Sequence, residues 1–144
     1  MAVKTFDPAK LQIIVAGIPI QGLAPDTFCS VERSNQSFNV SVGADGESAR
    51  AKTNDKSGTV TITLIQSSAS NDLLSALCVT DELSGDGVGP LLIKDLNGTT
   101  LIAAESCWIQ KPASAEFGQE ISTREWVIET GELNMFIGGS STTE

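Results

Sequence analysis

Three kinds of group in this chain could do chemistry: carboxylates, cysteine thiols and the amides of a glycine-rich loop. Asp81, Glu82 and Asp86 crowd one short stretch. A hard cation wants several oxygen ligands at one place, but this spacing does not match a helix-loop-helix calcium site, so the three read as solvated charges. Gly85-Asp86-Gly87-Val88-Gly89 has the glycine spacing of a phosphate loop. It follows a helical pattern and enters a strand, whereas a phosphate cradle needs the reverse order so that helix N-terminal amides point at the anion. It therefore reads as a helix stop. Two carboxylates could hydrolyse a glycosidic bond. No context singles out a pair, and an aromatic content of 5% leaves little for a sugar platform.

The chain has no histidine and no tyrosine, which removes His-based triads, the commonest general base and the usual zinc ligand together. Cys29, Cys78 and Cys107 are too far apart for a Cys-x-x-Cys site and read as small hydrophobes kept reduced. Trp108 and Trp126 read as core or inter-subunit packing. No catalytic residue, metal or cofactor is expected.

The elements that would position these groups are mostly strands. Thr59 to Ile65 alternates strictly, with Thr59, Thr61 and Thr63 on one face and Val60, Ile62 and Leu64 on the other. One face is core and the other is wet. Ser70 to Leu83 reads as a short helix, with Ser70 as N-cap, Asp72 at the positive end and Gly85 as left-handed stop. Leu73, Leu74, Leu77 and Leu83 form its apolar stripe, which must lie on a sheet because so short a helix does not persist alone. Leu11 to Gly22 gives two extended pieces about Gly17, with Pro19 near a sheet edge. Gly43-Ala44-Asp45-Gly46 turns a polar hairpin whose returning arm begins at Glu47. Asn97-Gly98 predicts a two-residue type I′ turn between Val88–Leu96 and Thr99–Ile109. The last strands run from about Ile121 to Thr130 and from Glu132 to Ile137.

The fold class is therefore mainly β: an antiparallel β-sandwich or barrel of about six to eight strands with one short α-helix packed on it. One domain is expected over 1–144, with a mobile N-terminal arm at about 1–9 and a mobile tail at about 138–144. The net charge of -9, without a basic block, argues against nucleic-acid binding. Leu11 to Ile20 is too short and too interrupted to span a bilayer or to serve as an export signal, so a soluble chain without a membrane anchor is expected.

The string from Ser70 to Thr100, with Val42–Glu47, Glu116–Trp126 and Met135–Gly139, resembles the tail tube protein of contractile-tailed bacteriophages over essentially the whole chain. What the resemblance implies is a structural virion protein, made and assembled in the host cytoplasm. Six copies form a ring, rings stack, and strands from every subunit join into an inner barrel. A tail sheath surrounds the tube, baseplate and tail terminator proteins hold its ends, and DNA passes down the lumen without specific binding.

On that reading, Thr59, Thr61 and Thr63, with some of Glu32, Glu105, Glu125 and Glu129, face the lumen, because a conduit for DNA should lack cations that hold phosphate. The opposite register, with this set on the outer wall, stays open. Val60, Ile62, Leu64, Leu73, Leu74, Leu77, Trp108 and Trp126 are packing residues. The hairpin Gly43, Ala44, Asp45, Gly46 and Glu47, with Arg50, Lys52, Asp55 and Lys56, is assigned to ring-ring or subunit-subunit contact. A ring protein of a secretion or contractile injection system is the alternative, ahead of a small carboxylate hydrolase or a ligand-binding β-sandwich.

Overall fold

The computed structural model describes residues 3–143, so Met1, Ala2 and Glu144 of the expected arm and tail lie outside it. In chain order the elements are β1 (Lys4–Thr5), a 3-10 turn (Pro8–Lys10), β2 (Leu11–Val15), β3 (Ile18–Pro19), β4 (Cys29–Arg33), β5 (Phe38–Val42) and β6 (Ser48–Lys52). They continue as β7 (Gly58–Ile65), α1 (Ser70–Ser84), β8 (Gly89–Asp95), β9 (Leu101–Ile109), β10 (Thr123–Thr130), β11 (Leu133–Phe136) and β12 (Thr142–Thr143).

Eight strands form one antiparallel sheet in the order β3-β2-β8-β9-β10-β7-β4, with β11 also on β9. The mainly β class with one helix is thus the observed one. Pro19 sits on the terminal strand, where its missing N–H leaves no ladder bond unmade. The ladder does not close into a barrel, although its two ends approach each other. Ile20 donates to Ile13, while the N–H of Ala24 and the carbonyl of Gly22 bond β7 at Thr63 and Ile65. β10 and β11 do not pair with each other. Thr130 stands opposite Cys107 and Leu133 opposite Ala104, so β10 and β11 are successive lengths of one path along β9, interrupted at Gly131–Glu132.

The alternation of β7 translates directly into burial. Val60, Ile62 and Leu64 are fully buried, and Ile62 lies between Cys29 of β4 and Trp126 of β10. Ile13, Val15, Leu91, Ile93, Ile102, Ile109, Ile128 and Leu133 complete the core from the other strands. Removing each large side chain from water stabilises the fold by about 1.5–3 kcal/mol before entropy is charged against it.

The helix closes this core, with two departures from expectation. Ser70 is not the N-cap: Ala69 takes that position in helical conformation without a side-chain bond. The hydroxyl of Ser68 accepts from the Ser70 N–H instead (3.2 Å), which frees the buried Ser70 hydroxyl to accept from Gln21 N–H (2.9 Å). The buried stripe is Ser70, Leu74 and Cys78, at i, i+4 and i+8, with Leu77 packed on its flank. Leu73 is 49% exposed and Leu83 82% exposed, because a 100° step per residue carries both off that stripe. The stop is as expected: Gly85 has φ 75° and donates to Asp81.

The β8–β9 connection also differs. Neither Asn97 nor Gly98 has positive φ, so no type I′ turn forms. Asn97 is drawn inward, where its amide nitrogen bonds Asp95 and the carbonyl of Asp7, and its amide oxygen accepts from Asp7 N–H.

Candidate functional site

The face of β4, β7, β10 and β9 turned away from the core carries the expected acidic and hydroxyl residues in rows. Glu32, Thr59, Glu129 and Trp108 stand in one cross-strand row. Ser30, Thr61 and Val127 form the next, and Thr63 stands opposite Glu125. No lysine or arginine occupies a position in these rows. The three threonines are half-buried among their neighbours, Glu32 and Glu125 are exposed, and Glu129 accepts from the Gln110 amide at 3.1 Å. Glu105 is not brought to this group. It is exposed on β9 where the register with β8 shifts, between Gly89↔Cys107 and Leu91↔Ala104.

The two tryptophans separate. Trp126 is 2% exposed, and its Nε1–H donates to Asn71 Oδ1 at 3.0 Å. Asn71 in turn donates to the carbonyl of Ile65, so one side chain ties the helix to β7 and β10. Trp108 lies on the opposite face beside Glu129, half-buried rather than in the core.

The hairpin of β5 and β6 is a separate two-stranded sheet in which every residue is exposed. Its tip folds because Gly46 N–H donates to Gly43 O (3.0 Å) and Gly46, at φ 87°, supplies the left-handed residue that ends a three-residue loop. Asp45 adds a bond from Glu47 N–H (3.1 Å). Phe38, Val40 and Val42 share one face with Lys52, Arg50 and Ser48, and the Arg50 guanidinium lies 4.1 Å over the Phe38 ring. Asp55 and Lys56 do not belong to this free blade. Asp55 accepts from the Ser57 backbone and hydroxyl and from Asn35, which holds its carboxyl below the usual range. Lys56 pairs with Glu132 at 3.5 Å. Both fix the base of the hairpin to the body.

A third cluster had no sequence signal beyond a misread turn. Asp95 is buried, and Ser140 hydroxyl, Asn97 N–H (2.9 Å) and the Asn97 side chain all donate to it. Burial pushes its carboxyl up, but these donors outweigh burial and leave it below the ordinary value. Through Asp7 and Ser140 the turn holds both chain ends, and β1 pairs with β12 beyond it.

Among the described residues no cluster of carboxylates and thiols could hold a metal, and Asp81 Oδ1 is occupied by the Gly87 N–H at 3.3 Å. Burial pushes the Cys29 thiol up to about 11, far from a reactive thiolate. No helix of the described residues is long and apolar enough to cross a membrane.

Residues 21–138, most of the chain, match the family of the bacteriophage PhiTE tail tube protein. The chain belongs to the PhiTE phage tail tube family. A structural protein, ORF10, of Pseudomonas phage KPP10 is 31% identical, over 94% of this chain and 83% of that protein. This tail tube family member is accordingly a structural component of a virion and not an enzyme. Its fold extends further than its sequence family. The tube-terminating cap of the anti-feeding prophage superposes with a TM-score of 0.61 at 8% identity, over 96% of this chain and 95% of that one. The sheath/tube terminator of an extracellular contractile injection system, PVC, gives 0.59 at 10% identity, over 92% and 97%.

Proposed function

We propose that this chain, as one domain over 1–144, is the repeating subunit of the inner tube of a contractile phage tail. Rings of six copies stack, the Glu32–Thr59–Glu129 face lines the lumen, and DNA passes through it during ejection. The observation that carries this reading is a cross-strand face of carboxylates and hydroxyls without a cation, on the side of the sheet opposite the core. Each Lys or Arg there would take a phosphate and release counterions, adding affinity and friction where transit is needed. The free edges of β3 and β4 supply the second support, because joining strands between copies removes edges that a single open sheet leaves unpaired.

The sheath covers the outside, and baseplate and terminator proteins bound the stack, since a head-to-tail assembly has no length of its own. Assembly takes place in the host cytoplasm. The test is electron microscopy of the purified chain, with hollow stacked tubes as the expected result. Phage carrying Glu125→Lys with Glu129→Lys should assemble tails but eject DNA more slowly; wild-type ejection rates would sink the lumen assignment.

Two solved structures similar in fold are a cap and a terminator, and they favour a second reading in which the chain closes a tube built by another protein. Single rings that never stack, in the same micrographs, would decide for it. A role in an injection system with protein cargo differs only in what travels the lumen.

A further inference from the structure

The outer face of α1 and one face of the β5–β6 hairpin both carry exposed apolar side chains, with nothing among the described residues covering them. On α1, Asp72, Ala76, Val79 and Leu83 fall at i, i+4, i+7 and i+11, opposite the buried stripe, with Val79 52% and Leu83 82% exposed. Asp72 is the acid of this face, Asp81 and Glu82 lying toward the buried side where they bond Gly87 and Cys78, and between Lys56 and Lys94 the sequence has no cation at all. The hairpin face joins apolar side chains to cations. Val40 and Val42 are 70% and 65% exposed, and the charges beside them are Arg50 and Lys52.

These are cations without a carboxylate partner among the described residues. Arg33 is spent on the Leu133 carbonyl, Lys56 on Glu132, and Arg124 on the Glu116 carbonyl. The dimensions agree as well. The four steps of strand from Phe38 to Val42 extend roughly 13 Å, within the roughly 16 Å that eleven helical steps rise from Asp72 to Leu83. An isolated two-stranded hairpin is marginal in water, so this one needs a surface to lie on.

We infer that the Phe38–Val42/Ser48–Lys52 face of one copy docks on the Asp72–Leu83 face of α1 in a second copy. Val40 and Val42 meet Val79 and Leu83, and Arg50 and Lys52 face Asp72. Because the two surfaces are different patches of one chain, the contact is head-to-tail and repeats from copy to copy. It deepens the tube reading by naming the acceptor of the hairpin, and it rests on that reading for its repetition.

Full-length Val40→Cys and Leu83→Cys chains, mixed and oxidised, should give an inter-chain cross-link several-fold above either variant alone. Arg50→Glu with Lys52→Glu should abolish assembly, and adding Asp72→Lys should restore it in part. No cross-link above the single-variant level, or unimpaired assembly of the reversed hairpin, overturns the docking. So does a chain bearing both cysteines that links to itself and stays monomeric. Microscopy of the unaltered chain is scored separately: tubes without the cross-link retain the tube and reject this contact, and the cross-link without tubes does the opposite.

Discussion

β7 and β5 alternate in the same way and come to opposite ends. In β7 the apolar positions Val60, Ile62 and Leu64 are completely buried, while in β5 Val40 and Val42 stand 70% and 65% exposed. Both strands are paired, so hydrogen bonding does not separate them. What separates them is the second layer: β7 has α1 and the opposing half of its own curled sheet, whereas β5 has only β6. Alternation announces that a strand has two unlike faces. What covers the apolar one must come from elsewhere, and for β5 nothing among the described residues does.

The sharpest way to break the contrast is to empty the covered side. Ile62→Ala removes a fully buried side chain held between Cys29 and Trp126, and the site has rigid strands on both flanks. The expected loss is about 2–5 kcal/mol, read as the midpoint of urea unfolding of the unassembled chain. A change below about 1 kcal/mol would mean that this side is not the core.

Asp95→Asn tests the anchoring of the chain ends to the body at an intermediate magnitude. Asparagine keeps the shape but cannot accept all the bonds from Ser140 and Asn97, so about 1–3 kcal/mol should be lost at neutral pH. The folded carboxyl titrates below its unfolded value. Its contribution is therefore complete above roughly pH 4 and disappears as pH falls through the folded value. Unfolding measured from about pH 6 down to pH 2 should show a steeper acid loss for the parent chain than for Asp95→Asn. The exposed Asp55 is common to both chains and does not disturb the comparison.

Much of both regions was legible in advance. The Thr59–Ile65 alternation, the Gly85 stop and the tip at Gly46 follow from local preferences that tertiary structure had no reason to override. The failures share a cause of another kind. Ser70 lost the N-cap position to Ala69 because Gln21, far along the chain, claims its hydroxyl, and Asn97 left its expected turn because Asp7 and Asp95 claim its amide. Leu73 reads as part of the apolar stripe, yet the face the helix buries leaves it 49% exposed, and of the two tryptophans only Trp126 enters the core, Trp108 lying half-buried beside Glu129. A polar residue with a distant partner carries no periodic signal, and neither does the choice of face for a large apolar residue.

The hairpin yields the smallest stability effect and the most informative one. Val40→Asp replaces an exposed valine on a blade whose residues the core does not touch. The free chain should lose about 0.5 kcal/mol or less, within the ordinary range for a surface substitution. If the hairpin exists to lie on another copy, the same substitution buries a carboxylate against the apolar Val79–Leu83 row of α1 and should stop assembly, scored by sedimentation of the purified protein. The two measurements together decide what the exposure of β5 means. A large loss of stability in the free chain would show that the hairpin is already supported by its own body, and intact assembly would show that its apolar row is only tolerated. Near-silence in unfolding combined with failure to sediment requires a surface whose second layer is supplied by a neighbour.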